Sequence, residues 1–328
     1  MIVKPENMNF SDKTFSMIIY GSPGVGKTTL ALSAPDPILL DFDRGVSRVR
    51  AEHRKDTSVC NSYKEVLADL QSPAMSEYKT VIIDTGGSLV TFLKDWAMNE
   101  KGAKTKSGEF NSLKGFGFVK AEWASFTEYI KTALHKNVIY IFHANEEKDK
   151  DGNPIQRLVC EGSVRNSVWT PCDFGGYLQM IGDQRVICFT PEQEYFAKGC
   201  HGITGRITVP ALEPGMKNDF ITGLFEHAKA NIAAEAEGFA SAKNKYADAI
   251  AKATEILSGV TDADTANAAI PQIKSLEHAL TSEREVSAMW RRKTNELGLS
   301  FDHKTKKYFQ KPAEQETADL KTATEPEA

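Results

Sequence analysis

An apolar run, FSMIIY at Phe15–Tyr20, leads straight into GSPGVGKTTLA at Gly21–Ala31. No other stretch restricts so tightly what this chain can fold into. Gly21, Gly26, Lys27 and Thr28 hold the fixed positions of G-x-x-x-x-G-K-[ST], with Ser22, Pro23, Gly24 and Val25 between them and Thr29 following. Glycines let the backbone wrap around phosphates with its N–H groups turned inward. A helix that starts at this point adds its positive N-terminal end. The Lys27 amine reaches the β- and γ-phosphates, and the Thr28 hydroxyl can ligate Mg2+. A strand before and a helix after supply the context the motif needs. The spacing therefore predicts a site for ATP and Mg2+ on residues 21–29.

Strand and helix signals then alternate to about His143, which predicts an α/β fold with a mostly parallel sheet and crossover helices. PILLDF (Pro37–Phe42), KTVIID (Lys79–Asp84) and NVIYIFH (Asn137–His143) read as strands. Ser62–Leu70, Leu89–Met98 and about Val119–His135 read as helices. Between them Asn99–Phe118 is rich in Gly, Lys and Ser, and a loop this long in a compact domain is usually functional or disordered. DGNP at Asp151–Pro154 marks a hairpin. Gly175–Ile181, Arg185–Thr190 and Arg206–Val209 read as antiparallel extensions of the sheet. From about Asp219 the chain is Ala-rich and helical, breaks near SGVTDAD, and continues helical to about Asn295. Met289–Lys311 is basic and aromatic. The expected organisation is an ATPase core over 1–225, a helical region over 226–311 and a disordered acidic tail over 312–328.

Composition narrows the function classes. The 328 residues are 41% hydrophobic and 26% charged, enough for one large core with an appendage or for two domains. A net charge of −4 gives no overall basic field, so any nucleic-acid contact must be local. No run is apolar enough for a signal peptide or a membrane helix, which leaves a cytoplasmic protein as the expectation. Five cysteines without CxxC spacing read as reduced thiols. A zinc site from Cys188, Cys200 and His201 lacks a fourth ligand.

Three further positions carry chemistry. Asp84 ends an apolar strand, where a carboxylate holds Mg2+ mostly through water; a surface Asp closing a strand reads the same way. Asp41 and Asp43 flank Phe42, and alternation puts both on one face. Either can orient the attacking water, with Asp43 the better placed if its strand lies beside the phosphate-loop strand; turn chemistry before Gly45 is the other reading. His143 closes its strand at the nucleotide edge, where it can sense the γ-phosphate or be an ordinary edge histidine.

In this order the elements resemble the core of RecA-type ATPases, and more closely a phage and prophage ATP-binding family that includes Rad/RecA-like single-strand annealing recombinases. GSPGVGKTTLA, PILLDFDRG, TVIIDTGGSL, VIYIFHANEEKD and EYFAKGCHGI carry the resemblance, across roughly residues 14–225. It implies a RecA-like core with Asp43 in the place of the catalytic glutamate, one methylene shorter, Asp84 as magnesium partner and His143 as γ-phosphate sensor. It implies Lys198 as a residue offered across a subunit interface, and hence a homo-oligomer, filament or ring. It also implies two loops on single-stranded DNA. The first carries Lys101, Lys104, Lys106 and Lys114 with Phe110, Phe116 and Phe118. The second carries Lys148, Lys150, Arg157 and Arg165. Lysines neutralise phosphates and aromatics stack on unpaired bases; the same phenylalanines can instead anchor a surface loop. FASA, Phe239–Ala242, fits a short subunit-docking pattern but lies outside the expected core.

The function these features imply is a Mg2+-dependent ATPase acting on single-stranded DNA in phage recombination, annealing or replication. A helicase loader working through a protein partner, such as a helicase or a single-strand binding protein, shares the same core. A nucleotide kinase needs an Arg-rich lid that the sequence lacks. A non-hydrolysing ATP switch is the remaining reading.

Overall fold

The computed structural model describes residues 2, 8 and 10–310. The expected acidic tail, 312–328, lies outside the described residues. From the N-terminus, β1 (Ser16–Gly21) enters the phosphate loop and α1 (Lys27–Ala31) leaves it, ending before Pro35, which cannot continue a helix. β2 (Pro37–Asp41), a short β3 (Thr57–Val59) and α2 (Tyr63–Leu70) follow, then β4 (Thr80–Asp84) and α3 (Gly86–Ala97). Next come α4 (Ser112–Glu128), β5 (Asn137–Lys148), β6 (Pro154–Leu158) and the single turn α5 (Val164–Ser167). β7 (Phe174–Ile181), β8 (Gln184–Cys188) and β9 (Arg206–Val209) complete the large sheet. The described chain closes with α6 (Phe220–Ser258), α7 (Ala263–Lys274), α8 (Ser282–Glu296) and a hairpin of β10 (Leu299–Asp302) and β11 (Lys307–Gln310).

The large sheet runs β3-β2-β4-β5-β1-β7-β8-β9, with β6 paired to the outer half of β5. Pairs from β3 through β7 are parallel, and β8 and β9 are antiparallel. The fold is the expected one: mixed α/β, a mostly parallel core extended by antiparallel strands, and a helical C-terminal region. Helices cover both faces, so the central strands read as continuous apolar runs. Ile18, Tyr20, Tyr140 and Phe142 face Leu89, Leu93, Trp123 and Phe126 of α3 and α4. Met17, Ile19, Ile139 and Ile141 face Leu30 of α1 and Ile221, Leu224 and Phe225 of α6. Among the described residues no helix is long and apolar enough to cross a membrane.

The chain divides into two compact units at Ala233 and Ala234. In the first, α6 buries Ile221, Leu224, Phe225, Ala228 and Ile232, a stripe at three- and four-residue spacing. The position expected for the core's end, 225, falls inside that stripe. In the second, Val260, Ala266, Ala269 and Leu299 form a small core. A capping box starts α7, with Asp262 and Thr265 bonding each other's backbone.

Several local expectations change. The segment read as a loop through Phe118 becomes helix at Ser112, because the Asn111 side chain accepts from the Leu113 and Lys114 N–H groups. Gly115 and Gly117 lower helix propensity there, but packing wins: a Cβ on Gly115 would stand 2.4 Å from the Phe110 ring, so only glycine admits that ring. β5 does not end at His143; it continues to Lys148 by changing partner, from β1 and β4 to β6. β2 is not beside β1, since β4 and β5 stand between them. Helix runs to Glu296, close to the expected Asn295, and Gly298, at φ 63°, turns the rest of the basic-aromatic segment into the β10–β11 hairpin.

Asn137 ties the strand entrances together. Its Oδ1 accepts the Phe15 N–H at 2.8 Å, and its Nδ2 donates to the Lys79 carbonyl at 3.2 Å. Asn137→Ala leaves a buried N–H without a partner and is expected to cost about 1–3 kcal/mol, read as a lower urea midpoint at unchanged slope.

Candidate active site

The parallel strands deliver their C-terminal ends to one edge of the sheet. In register, Gly21 of β1 pairs with His143 of β5, and Asp84 of β4 pairs with Ile141. The phosphate loop crosses this edge with Gly24 at φ 80° and Gly26 at φ 93°, a region that favours glycine. A Cβ on Gly21 would stand 2.2 Å from the Leu178 carbonyl oxygen of β7, so that position is closed to larger residues. Ser22, Pro23 and Gly24 form the exposed crest, and Val25 is buried beneath it.

Lys27 is 6% exposed and donates to the carbonyls of Gly21 at 3.0 Å and Ser22 at 2.8 Å. Burial pulls its amine down to about 8, opposed by the nearby Asp84 charge. Thr28 donates its hydroxyl proton to Asp84 Oδ2 at 2.6 Å. Burial raises the Asp84 carboxyl above its ordinary value, opposed by the Thr28 hydrogen bond; Asp43 and Asp41 raise it further. A crowded, partly desolvated carboxylate of this kind gains from a nearby cation. Amides of the loop, the Lys27 amine, the Thr28 hydroxyl and the Asp84 carboxylate together fit a Mg2+-bound triphosphate.

The two aspartates of the β2 end part company. Asp41 is 1% exposed and accepts from the Gly45 and Val46 N–H groups at 2.8 and 2.9 Å, which is turn chemistry. Asp43 lies past the strand end, and its N–H donates to the Asp84 carbonyl at 3.3 Å. That bond returns it to the site although β2 is remote from β1. Its carboxylate accepts from the Ser88 hydroxyl and stands 3.9 Å from His143 Nε2. The imidazole first, then Ser88 and Thr85, hold Asp43 below the usual carboxylate range against burial. His143 Nδ1 is buried without a hydrogen-bond partner among the described residues. Asp43, Asp84 and His143 are thus brought to one edge with Lys27 and Thr28.

Other expected residues go elsewhere. Lys198 pairs with Gly175, level with Ile18 in the sheet, and donates to the Cys172 carbonyl; the structure does not bring it to the phosphate loop. Lys101, Lys104 and Lys106 are exposed on a small turn closed by a bridge from Lys104 to Phe110, and Lys114 is exposed on α4. Phe116 is half-buried against Phe110 and Gly162, and Phe118 is half-buried against the core, so these rings anchor the fold. Lys148 and Arg157 lie on the β5–β6 arm, while Arg165 is paired with Glu147 at 2.7 Å. Cys188 is buried in β8; Cys200 and His201 instead gather with Asp173, whose oxygens already accept from Lys13 and Ser16.

Two site residues escaped the sequence. Ser88 lies three residues after the helix cap Thr85, a spacing that places it over the cap. Arg185 of β8 donates from Nε to the Val25 carbonyl at 2.7 Å, and its guanidinium would stand 3.1 Å from a Cβ on Gly26. Beside it opens a cavity of about 270 Å3, lined by Thr29, Pro210, Leu212 and Met216. No sequence signal marks Arg185, because its place depends on β8 folding back along β7.

The flagellar accessory protein FlaH from Methanocaldococcus jannaschii is similar in structure at 11% identity, covering 60% of this chain and 90% of that one, with a TM-score of 0.30. A prototypical ATPase from the type III secretion system of pathogenic bacteria is similar at 12% identity, covering 51% of this chain and 52% of that one, with a TM-score of 0.32. No curated protein matches the chain. The AAA domain family matches residues 13–201, more than half of the 328. That span holds the phosphate loop, Asp43, Asp84, His143 and Arg185, and the chain belongs to the AAA domain family as a P-loop ATPase.

Proposed function

We propose that the chain is a Mg2+-dependent ATPase that works on single-stranded DNA in phage recombination, annealing or replication, as a homo-oligomer in the host cytoplasm. The observation that supports the coupling is the continuity of β5. One strand carries His143 beside Gly21 and then runs on into the arm that bears Lys148 and Arg157. A shift at His143 is transmitted to the arm through unbroken backbone. The lysines of the 101–106 turn offer a second basic surface.

Mg2+ and ATP, when bound, supply the electrophilic phosphorus and neutralise its developing charge. Lys27 and the loop amides would hold phosphate oxygens. Thr28 would ligate the metal, and Asp84 would hold it through water. Asp43, kept anionic and weakly basic by His143 and Ser88, orients water rather than capturing its proton early. His143 reports the γ-phosphate position to the arm.

A second reading, action through a protein partner as in a helicase loader, draws on the β7–β8 hairpin. Met180 and Ile181 are 49% and 42% exposed at its tip, close in sequence to Arg185 on the phosphate loop.

Hydrolysis of Mg2+-ATP is measured with and without single-stranded DNA, with Lys27→Ala as the blank. Stimulation that falls when Lys148 and Arg157 become Ala, at unchanged basal rate, supports the DNA reading. Turnover indifferent to DNA moves the function to the protein-partner reading. Asp43→Asn is expected to lower the hydrolysis rate by about 10²–10⁴-fold while ATP still binds.

The low Lys27 value also sets a pH dependence. Bound phosphates favour the ammonium, so ATP binding takes up a proton wherever the free amine is neutral. Affinity is expected to be flat below pH of about 8 and to fall about tenfold per unit above it. Calorimetric titration in two buffers of different ionisation enthalpy checks both the slope and the proton uptake.

A further inference from the structure

The second unit holds a cavity of about 340 Å3 between α7, α8 and the β10–β11 hairpin. Its walls are fixed by hydrogen bonds. Asn267 of α7 accepts the Tyr308 N–H at 2.7 Å and donates to the Tyr308 carbonyl at 2.9 Å. The Trp290 indole N–H of α8 donates to the Tyr308 hydroxyl at 2.8 Å. The Trp290 and Tyr308 rings lie 5.7 Å apart, and Phe301 lies 5.0 Å from Tyr308. Phe301 is 39% exposed, so part of its surface is open to solvent. Ile270 and Ile273 complete an apolar floor.

Charge on this cavity has one sign. Lys274, Arg291 and Lys306 line it, one from each surrounding element, and no carboxylate does. No ion pair joins any of the three to a described residue. Cations held on three sides of an apolar, aromatic floor suit a ligand that repeats flat rings and negative charges along its length. Single-stranded nucleic acid has both in every unit. An acidic peptide supplies the charges but not a ring at each repeat.

We infer that this cavity is a single-stranded nucleic-acid site, where a base stacks on Phe301 and Lys274, Arg291 and Lys306 meet the adjoining phosphates. The inference rests on the DNA reading for its setting, but its contacts are separate from the nucleotide site.

The test follows intrinsic fluorescence of the full chain as a short oligo(dT) is added without ATP. Quenching is expected, with the responding share lost in Trp290→Phe. Phe301→Ala is expected to weaken binding about 5- to 150-fold, the loss of one stacked base. Lys306→Ala, on an exposed turn, is expected to reduce the slope of log affinity against log salt by about 0.7. Hydrolysis without DNA stays unchanged in all three variants. Equal affinity and equal slope in Phe301→Ala and Lys306→Ala overturn the inference. So does a Trp290 response to a Glu- and Phe-containing peptide but not to oligo(dT), which makes the cavity a peptide site. DNA-stimulated hydrolysis without a Trp290 response removes this site and spares the proposed function. A Trp290 response without stimulation does the reverse.

Discussion

Six register pairs, from Ser16 with Val138 to Gly21 with His143, fasten β1 to β5, and the placement of the active-site side chains follows from them. A slip of one residue would turn every side chain of one strand to the opposite face. Tyr20 and Phe142 would leave the α3–α4 side, and His143 would lose its place beside the phosphate loop. Both strands are apolar on both faces, so each face penalises the slip. The same pairing explains why β5 can serve two structures. Its first half lies in the parallel core, and its second half is free to take β6 because β1 ends at Gly21.

Three carboxylates stand near this edge, and their surroundings separate them. Asp41 is consumed by two backbone N–H groups. Asp84 is pushed up by burial and by its acidic neighbours, which suits it to a metal's hydration shell. Asp43 is pulled down by an imidazole and a hydroxyl. Environments that drive neighbouring acids in opposite directions give them distinct roles. Lys27, near Asp84, is pulled down to about 8 by burial and so keeps its charge at neutral pH.

The phosphate loop, the strand ending in Asp84 and the parallel core were legible because each is a local pattern. Glycine spacing, an apolar run and a terminal carboxylate need no knowledge of the rest of the chain. The C-terminal hairpin at Gly298 was not legible, since a basic-aromatic segment has no period that favours strand over helix. For Asp43 the sheet order removes adjacency to the phosphate-loop strand as a reason: β4 and β5 stand between β2 and β1, and the backbone bond to Asp84 brings Asp43 back instead. Phe116 reads from sequence either as a base-stacking ring or as an anchor, and Gly162 and Phe110, which enclose it, decide for the anchor. Contact between residues distant in sequence decides each of these positions.

The phosphate loop holds its own cations in place. Lys27 rests on the carbonyls of Gly21 and Ser22, and Arg185 rests on that of Val25. Both cations keep unused N–H donors and are held at the strand edge by backbone, so neither has to be ordered when an anion arrives. The entropy cost of fixing these two long side chains is thus met in folding and not in binding.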